Sequence, residues 1–178
     1  MSAHTARRRM TMRAAAAGLA LAGAVTTASC SVPTPGVAAR VQGQEIPEQA
    51  IDDIAADFAS VQGAQVPQRS QIAFVLIARP FVQQALGAQA SRVSTASVRS
   101  ALAQQLPDPS PATVEFFHTQ QLAQQFDERT SAAFQKAMTT ADVQVNPKYG
   151  TWAPDQGGLT PYNPDWLAKP FAAPNPAG

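Results

Sequence analysis

The feature that most constrains the fold is an uncharged run near the start of the chain, because it removes these residues from any globular core. Four arginines between positions 7 and 13 precede sixteen residues, 14–29, without a charge. A basic head, a short apolar run and a small-residue exit are typical of a secretory signal peptide. The run is too short and too rich in alanine for a membrane span, which needs about 20 apolar residues. We therefore predict that residues 1–29 are a signal peptide.

The only cysteine of the chain, Cys30, follows this run directly. The sequence Thr26-Thr27-Ala28-Ser29-Cys30 resembles the lipobox of bacterial lipoproteins, with Thr27 and Ser29 as its departures. The resemblance implies that Cys30 becomes the first mature residue and the site of lipid attachment. Its acyl chains would then hold the protein on the outer face of the cytoplasmic membrane. The alternative is an ordinary cleaved signal with an incidental cysteine, and export by the Sec or the twin-arginine route stays open.

The charge of the mature chain differs in sign from that of the full sequence. Four of the thirteen Lys/Arg and none of the twelve Asp/Glu lie in residues 1–29, which leaves a net charge of −3. A mildly acidic surface argues against nucleic acid as a partner, since nucleic-acid binding needs a basic face. With Cys30 acylated, no thiol remains for a disulfide or a thiolate metal site. The length suits one domain that packing alone stabilises.

Proline marks both ends of this predicted domain. Residues 30–37 contain two prolines and a glycine, so we predict a lipidated tether there. Residues 147–178 contain seven prolines, which exclude a helix or a central strand. This Pro-rich tail is predicted to be either disordered or draped over the domain. Between the two segments, residues 38–146 are long enough to bury a core.

Apolar periodicity predicts helices through most of residues 38–146. The first helix has Pro47 at its first position and is stopped by Gly63. The second runs over about residues 66–90. Pro80 lies inside it and should kink it, because proline removes one hydrogen bond of the helix.

The second half of the domain carries clear capping signals. Ser94 or Thr95 caps a short third helix, and Ser110 caps a fourth helix with a proline at its first position. The apolar stripe then continues to about residue 139. It fits one long helix or two helices with a break near Asp127.

Short strands are predicted at the two ends of the domain. Residues 39–42 precede a tight turn at Gly43, where glycine accepts a positive φ, and residues 142–146 alternate in polarity. Pairing them would join the domain ends, and the pair must pack on the helices because an isolated ribbon is only marginally stable. The predicted fold is therefore mainly α, with four to five helices and a small two-stranded β-pair.

Three loose motifs resemble the N-terminal domain of SurA-type chaperones. Residues 39–47 (Ala-Arg-Val-Gln-Gly-Gln-Glu-Ile-Pro) resemble its opening A-x-V-N-G-x-x-I, and residues 93–102 resemble V-S-x-x-x-V-x-x-A-L. Residues 143–152 are similar to the end of SurA-N-like lipoproteins of actinobacteria. Gln42 and Pro80 depart from the pattern, and the prolyl isomerase domain of the family does not follow. The resemblance implies a SurA-N-like helical bundle with a peptide-binding or chaperone-like role for exported proteins, and it carries over no catalytic residue.

The sequence does not indicate an enzyme. The mature chain has one histidine, His118, and this leaves no convincing Ser-His-acid or Cys-His set. Metal sites need three or four convergent ligands, and Asp52, Asp53 and Asp57 fit a solvated helix face better. No glycine-rich phosphate loop is present. We predict a protein without catalytic residues, metal or cofactor.

Phe116, Tyr149 and Trp152 are the candidate peptide contacts. Phe116 and Phe117 are adjacent on one helix, so one of them points away from the core. Exposed together with Trp152, that ring would form an apolar patch of the kind that marks a binding site. In the alternative, the tail folds back and Trp152 covers Phe116 as part of the core.

Three functional hypotheses remain open from the sequence. In the first, the protein is a holdase that binds unfolded or exported polypeptides through an open apolar groove. In the second, it is a structural or interaction lipoprotein with a closed core that docks on one specific envelope protein. In the third, it supports a prolyl isomerase that lies elsewhere.

Overall fold

The computed structural model describes residues 34–162, which form five α-helices and two small antiparallel sheets. The fold is therefore mainly α. The helices are α1 (Glu48–Ser60), α2 (Arg69–Leu86), α3 (Thr95–Leu102), α4 (Pro111–Ala123) and α5 (Glu128–Thr139). The strands are β1 (Val37–Val41), β2 (Gln44–Pro47), β3 (Val143–Val145), β4 (Thr151–Ala153) and β5 (Gly158–Thr160). Two 3-10 helices, Gly87–Arg92 and Pro154–Gln156, follow α2 and β4. The predicted signal peptide, Cys30 and residues 31–33 of the tether lie outside the described residues.

Three of the helices begin at capping side chains, and the sequence predicts two of these caps, Ser94 and Ser110. Ser94 and Ser110 each accept the backbone N–H three residues further on, at 3.1 Å. Asp127 accepts the N–H of Thr130 at 2.8 Å, and the Thr130 hydroxyl accepts the N–H of Asp127 in return. This reciprocal cap starts a new helix, so α4 and α5 are two helices rather than one.

The first two helices are shorter than predicted. Pro47 is the residue before α1 instead of its first helical residue, with the extended ψ of 147°. The second helix begins at Arg69 and ends at Leu86, because Gly87 adopts a positive φ of 53° that ends the α-helical ladder. Pro80 lies within α2, and the helix continues for six residues beyond it.

Helix α2 is the centre of the described fold and contacts α1, α4, α5 and β1. Each of the three apolar clusters of the core contains residues of this helix. A helix that is buried on several sides needs apolar residues on more than one stripe. The buried residues of α2 are Ile72, Ala73, Leu76, Ile77, Ala78, Phe81, Val82 and Leu86.

The pairing predicted between the two ends of the domain is confirmed. Strand β1 pairs antiparallel with β3, and Val41 lies opposite Val143 and Ala39 opposite Val145. The inward faces of these strands pack on α2, since Ala39 and Val41 share an apolar cluster with Phe81. The ribbon is therefore stabilised by the helices beneath it.

The prediction of two strands in this sheet is wrong, because β2 adds a third. The strand order is β2-β1-β3, with Val41 opposite Gln44. Gln42 and Gly43 both have positive φ, 50° and 80°, as a tight two-residue hairpin turn requires. The sequence indicates the turn at Gly43, but the residues after it alternate too briefly to indicate a strand.

The first part of the predicted tail is folded. Residues 151–160 form the β4–β5 hairpin, in which Trp152 lies opposite Leu159. Tyr149, Trp152 and Leu159 pack on the same apolar clusters as the helices. The packed domain therefore extends past the predicted boundary at residue 146. Of the two alternatives for the tail, residues 147–160 follow the draped one, and the segment 163–178 lies outside the described residues.

Asp57, predicted to lie on a solvated helix face, instead joins the end of α1 to the start of α4. Its Oδ2 accepts the Ser110 N–H at 2.9 Å and the Thr113 hydroxyl at 2.6 Å. Burial raises the pKa of Asp57, but the hydrogen bonds from Thr113 and Ser110 outweigh it, so the pKa lies below the usual aspartate value. The carboxylate thus stabilises the fold in its charged form.

We expect Asp57→Ala to lower the free energy of unfolding by about 1–2 kcal/mol. The reason is that the Ser110 N–H at the start of α4 and the buried Thr113 hydroxyl both lose their acceptor. The folded state binds the Asp57 proton less tightly than the unfolded state, so acid favours unfolding. The difference between wild type and variant should be full at neutral pH and shrink below about pH 4, the region of an ordinary aspartate pKa. Urea unfolding at pH 7 and pH 3 measures it. Asp53→Ala is the control, since Asp53 bonds only Gln49 of its own helix, and an equal loss in both variants would contradict this account.

Candidate functional site

Two of the three predicted peptide contacts are core residues. Phe116 is 2% exposed and Tyr149 is 3% exposed, and both belong to one apolar cluster. The Phe116 ring packs edge-on against Phe58 and Phe117, with centroids 5.9 and 5.6 Å away. The Tyr149 hydroxyl donates to Glu48 at 3.3 Å. A peptide cannot reach Phe116 or Tyr149 unless the core opens, so their prediction as contact residues is corrected to a role in the core.

Trp152, the third predicted contact, is half-buried and packs on a different cluster from Phe116. Its neighbours there include Ile77 and Phe81 of α2 and Met138 of α5. The chain folds back as the alternative predicted, but Tyr149 rather than Trp152 shares the cluster of Phe116. The indole N–H of Trp152 is buried and has no hydrogen-bond partner among residues 34–162.

The turn between β3 and β4 is held to the start of α1 by one carboxylate. Glu48 Oε1 accepts from Asn146 Nδ2 at 3.4 Å and from Lys148 Nζ and the Tyr149 hydroxyl at 3.3 Å. Burial and the negative charge of Glu48 raise the pKa of Tyr149, and the hydrogen bond to Glu48 raises the pKa of Lys148. Both shifts favour the protonated forms that donate to Glu48, so this cluster stabilises the fold.

An open groove runs between α2, the α4–α5 corner and the 3-10 helix of the β4–β5 hairpin; we call it the aromatic groove. Phe74, Phe126 and Phe134, all half-buried, line it, and its volume is about 610 Å³. The rings of Phe126 and Phe134 pack against each other with centroids 5.4 Å apart. Sites for small ligands and short segments have volumes of about 300–1,000 Å³ and mostly apolar linings. The aromatic groove therefore has the size and chemistry of a binding site for a few apolar side chains.

The rim of the aromatic groove is polar and almost uncharged. Gln120 of α4 and Gln135 of α5 are exposed along it. Among residues 34–162, Asp155 of the hairpin is the one ionisable residue of its lining. Glutamine amides both donate and accept hydrogen bonds, so they can pair with the backbone of an extended segment of any sequence. This chemistry does not select for charge.

A second groove lies between the β1–β2 hairpin, α2 and the start of α4; we call it the charged groove. Its volume is about 480 Å³, and Arg79 and Glu115 form an ion pair across it at 3.3 Å. Pro80 has no N–H, so the carbonyl of Leu76, also in the lining, has no donor one helical turn further on. Fixed charges of both signs suit a partner of defined sequence better than many unrelated ones.

His118 is a core residue. It is 7% exposed, and its Nε2 lies 2.9 Å from the carbonyl oxygen of Val93, which links α4 to the segment before α3. Its Nδ1 lies 4.0 Å from Glu115 and has no hydrogen-bond partner in the described chain. Across residues 34–162, no three His, Cys, Asp or Glu side chains converge in a way that could hold a metal ion.

The phenylalanines of the aromatic groove were not among the predicted contacts. Phe74 and Phe134 lie beside the apolar stripes that predict the buried faces of α2 and α5. The apolar stripe of each helix is enough to form its buried face. A large aromatic residue next to that stripe is therefore the signal that could have indicated these two phenylalanines as groove residues. Their assembly into one groove also depends on how α2 and α5 cross, which periodicity does not specify.

A comparison of the sequence with protein-family models gave no match, and comparisons with curated proteins and with solved structures gave none either. Within residues 34–162, every helix is too short or too polar to cross a bilayer.

Proposed function

We propose that the mature chain is an exported, lipid-anchored protein that binds unfolded or apolar segments of other exported polypeptides. The observation that carries this proposal is the aromatic groove, with three half-buried phenylalanine rings open to solvent. Large apolar side chains that remain accessible on a folded domain are typical of interaction sites. The resemblance to the helical N-terminal domain of SurA-type chaperones supports the same role. The proposal involves no catalytic residue, metal or cofactor.

The shape and rim of the aromatic groove support broad rather than narrow recognition. Phe126 and Phe134 offer two adjacent apolar rings, and Gln120 and Gln135 offer hydrogen bonds to a peptide backbone. Contacts to apolar side chains and to the backbone are available in every unfolded chain. Weak, broad binding of this kind is what a holdase requires.

The proposed location depends on Cys30 and on the shortness of the tether. Only residues 31–33 separate the cysteine from Thr34, the first described residue. An acylated Cys30 would place the domain within about 15 Å of the membrane surface, since an extended residue spans about 3.5 Å. Mass spectrometry of the mature protein should find an N-terminal Cys30 carrying acyl chains, and Cys30→Ser should release the protein from the membrane. Recovery of wild type as an unprocessed cytosolic chain would contradict the location.

Aggregation of an unfolded client tests the binding function. The Ser31–Gly178 unit is compact on its own and holds all three apolar clusters. At several-fold molar excess it should slow light scattering by a chemically denatured client protein after dilution. Scattering that is unchanged by the protein would argue against a holdase.

The charged groove favours a second candidate function, docking on one specific envelope protein. Its Arg79–Glu115 pair gives a charge pattern that only a complementary partner satisfies. Cross-linking in cells should then recover one partner, and Arg79→Glu should abolish that product while the aggregation assay stays negative. Many cross-linked proteins together with holdase activity would favour the first function instead.

A further inference from the structure

We propose that the Pro-rich segment that follows Tyr162, residues 163–178, docks into the aromatic groove of its own chain. The groove would then be a regulated site that clients reach by displacing the segment. The docking is argued from the chemistry of the groove, the composition of the segment and the point at which the described chain ends. Only the competition with clients rests on the proposed function.

The composition of the segment matches the lining of the groove. Residues 163–178 contain four prolines together with Trp166, Leu167 and Phe171. Proline-rich segments are preordered in an extended helix, and grooves lined by aromatic rings bind them at a low entropic cost. Phe126 and Phe134 supply such rings, and glutamines on the rim supply hydrogen bonds for the segment's carbonyl groups.

Of the two charged side chains in the segment, Asp165 has the same sign as Asp155 of the groove, and Lys169 has the opposite sign. Asp155 is the one ionisable residue that the described part of the chain gives to the groove lining, and it is exposed. Lys169, the one basic residue of the segment, lies between Leu167 and Phe171 in sequence. When Phe171 lies on the phenylalanines, Lys169, two residues before it in the chain, is close enough to pair with Asp155 of the groove lining.

The segment is long enough to reach the groove. Gly157 lines the groove. From there the chain follows strand β5 for a few residues, and the described residues end at Tyr162, five residues further on. The return from Tyr162 to the groove is therefore at most about 18 Å. Phe171 is nine residues beyond Tyr162, which gives a reach of about 28 Å even in the proline-type extended helix. Phe171 can accordingly lie within the groove.

Occupation of the groove in cis lowers its apparent affinity for clients. If the segment fills the groove in nine molecules out of ten, clients bind about tenfold more weakly than to the empty groove. A chain that ends at Tyr162 keeps every member of the three apolar clusters, and it should slow client aggregation at about a tenth of the concentration that the longer chain needs.

Engineered disulfides test the docking without any client. The Ser31–Gly178 unit has no cysteine, so a pair can be introduced cleanly. Gln135→Cys places a thiol on the groove rim and Ala168→Cys places one in the segment. The control pair is Gln49→Cys with Ala168→Cys. Gln49 is exposed on α1 next to Glu48, which binds Tyr149, and the neighbouring Gly150 lies beside Thr160, so the control thiol is also near the start of the segment. Docking predicts that the groove pair oxidises roughly tenfold faster than the control pair, since docking raises the effective concentration of the thiols.

Charge reversal provides the second readout. Lys169→Glu should slow oxidation of the groove pair severalfold, and adding Asp155→Lys should restore it. Equal rates for the groove and control pairs, or a faster control pair, would overturn the docking. Rapid oxidation of the groove pair without holdase activity would retain the docking and refute the client role, so the two proposals fail separately.

Discussion

Replacing Phe81 with alanine is expected to lower the free energy of unfolding by about 4 kcal/mol. Phe81 is fully buried, and its cluster joins α2 to Ala39 and Val41 of the sheet and to Met138 of α5. Truncation leaves a cavity where sheet and helices meet. A loss of this size is a large part of the 5–15 kcal/mol by which domains are usually stable.

Equilibrium urea unfolding followed by circular dichroism measures this loss. Tyr162→Ala is the control, because Tyr162 is an aromatic residue that is 54% exposed. It should change the unfolding free energy by less than about 0.5 kcal/mol. A Phe81→Ala variant as stable as the control would mean that the sheet does not pack on α2 as described.

The second large effect is expected at Gly158, where β5 crosses α2. The residue has a φ of 120°, and a Cβ there would lie 2.1 Å from the ring of Phe74. Gly158→Ala therefore combines backbone strain with a clash that displaces the hairpin or the ring. We expect a loss of about 3 kcal/mol, the sum of a strained φ and an overpacked contact.

Gly157→Ala is the matched control for Gly158→Ala. Gly157 also has a positive φ, 94°, but a Cβ there would meet no atom within 4 Å. The control should therefore lose only the backbone contribution, about 1 kcal/mol. Equal thermal stability of the two variants would show that residues 151–160 are not part of the packed domain. Because Phe74 lines the aromatic groove, Gly158→Ala should also alter binding there.

Local signals predicted much of the fold. Ser94 and Ser110 indicated helix starts because each side chain satisfies a backbone N–H within its own segment, whereas the break near Asp127 was one of two alternatives. The pairing of β1 with β3 followed from a process of elimination, since the sequence offered only two strand-like stretches. These features depend on residues close together in sequence or on a single choice of partner.

The features that the sequence did not predict depend on long-range packing. Tyr149 and Trp152 lie in a segment whose prolines indicate irregular structure, and only their fit against the helices buries Tyr149 and half-buries Trp152. Asp57 resembles an exposed helix carboxylate until α4 is placed beside it. The aromatic groove is likewise a property of how Phe74 and Phe134 are brought together from separate helices.

The central claim is that the aromatic groove binds unfolded polypeptide, and a pair of alanine substitutions tests it most directly. Ala123 is an exposed residue of the groove lining, and Ala133 is exposed on α5 outside it. Ala123→Glu places a charge in the groove without removing any core side chain, and Ala133→Glu places the same charge elsewhere. In the aggregation assay, Ala133→Glu should protect the client as well as wild type does. Ala123→Glu should need at least about tenfold more protein for the same protection. The reason is that a charge buried between the client and the apolar side chains of the groove costs more than about 1.4 kcal/mol. Equal protection by the two variants would contradict the claim.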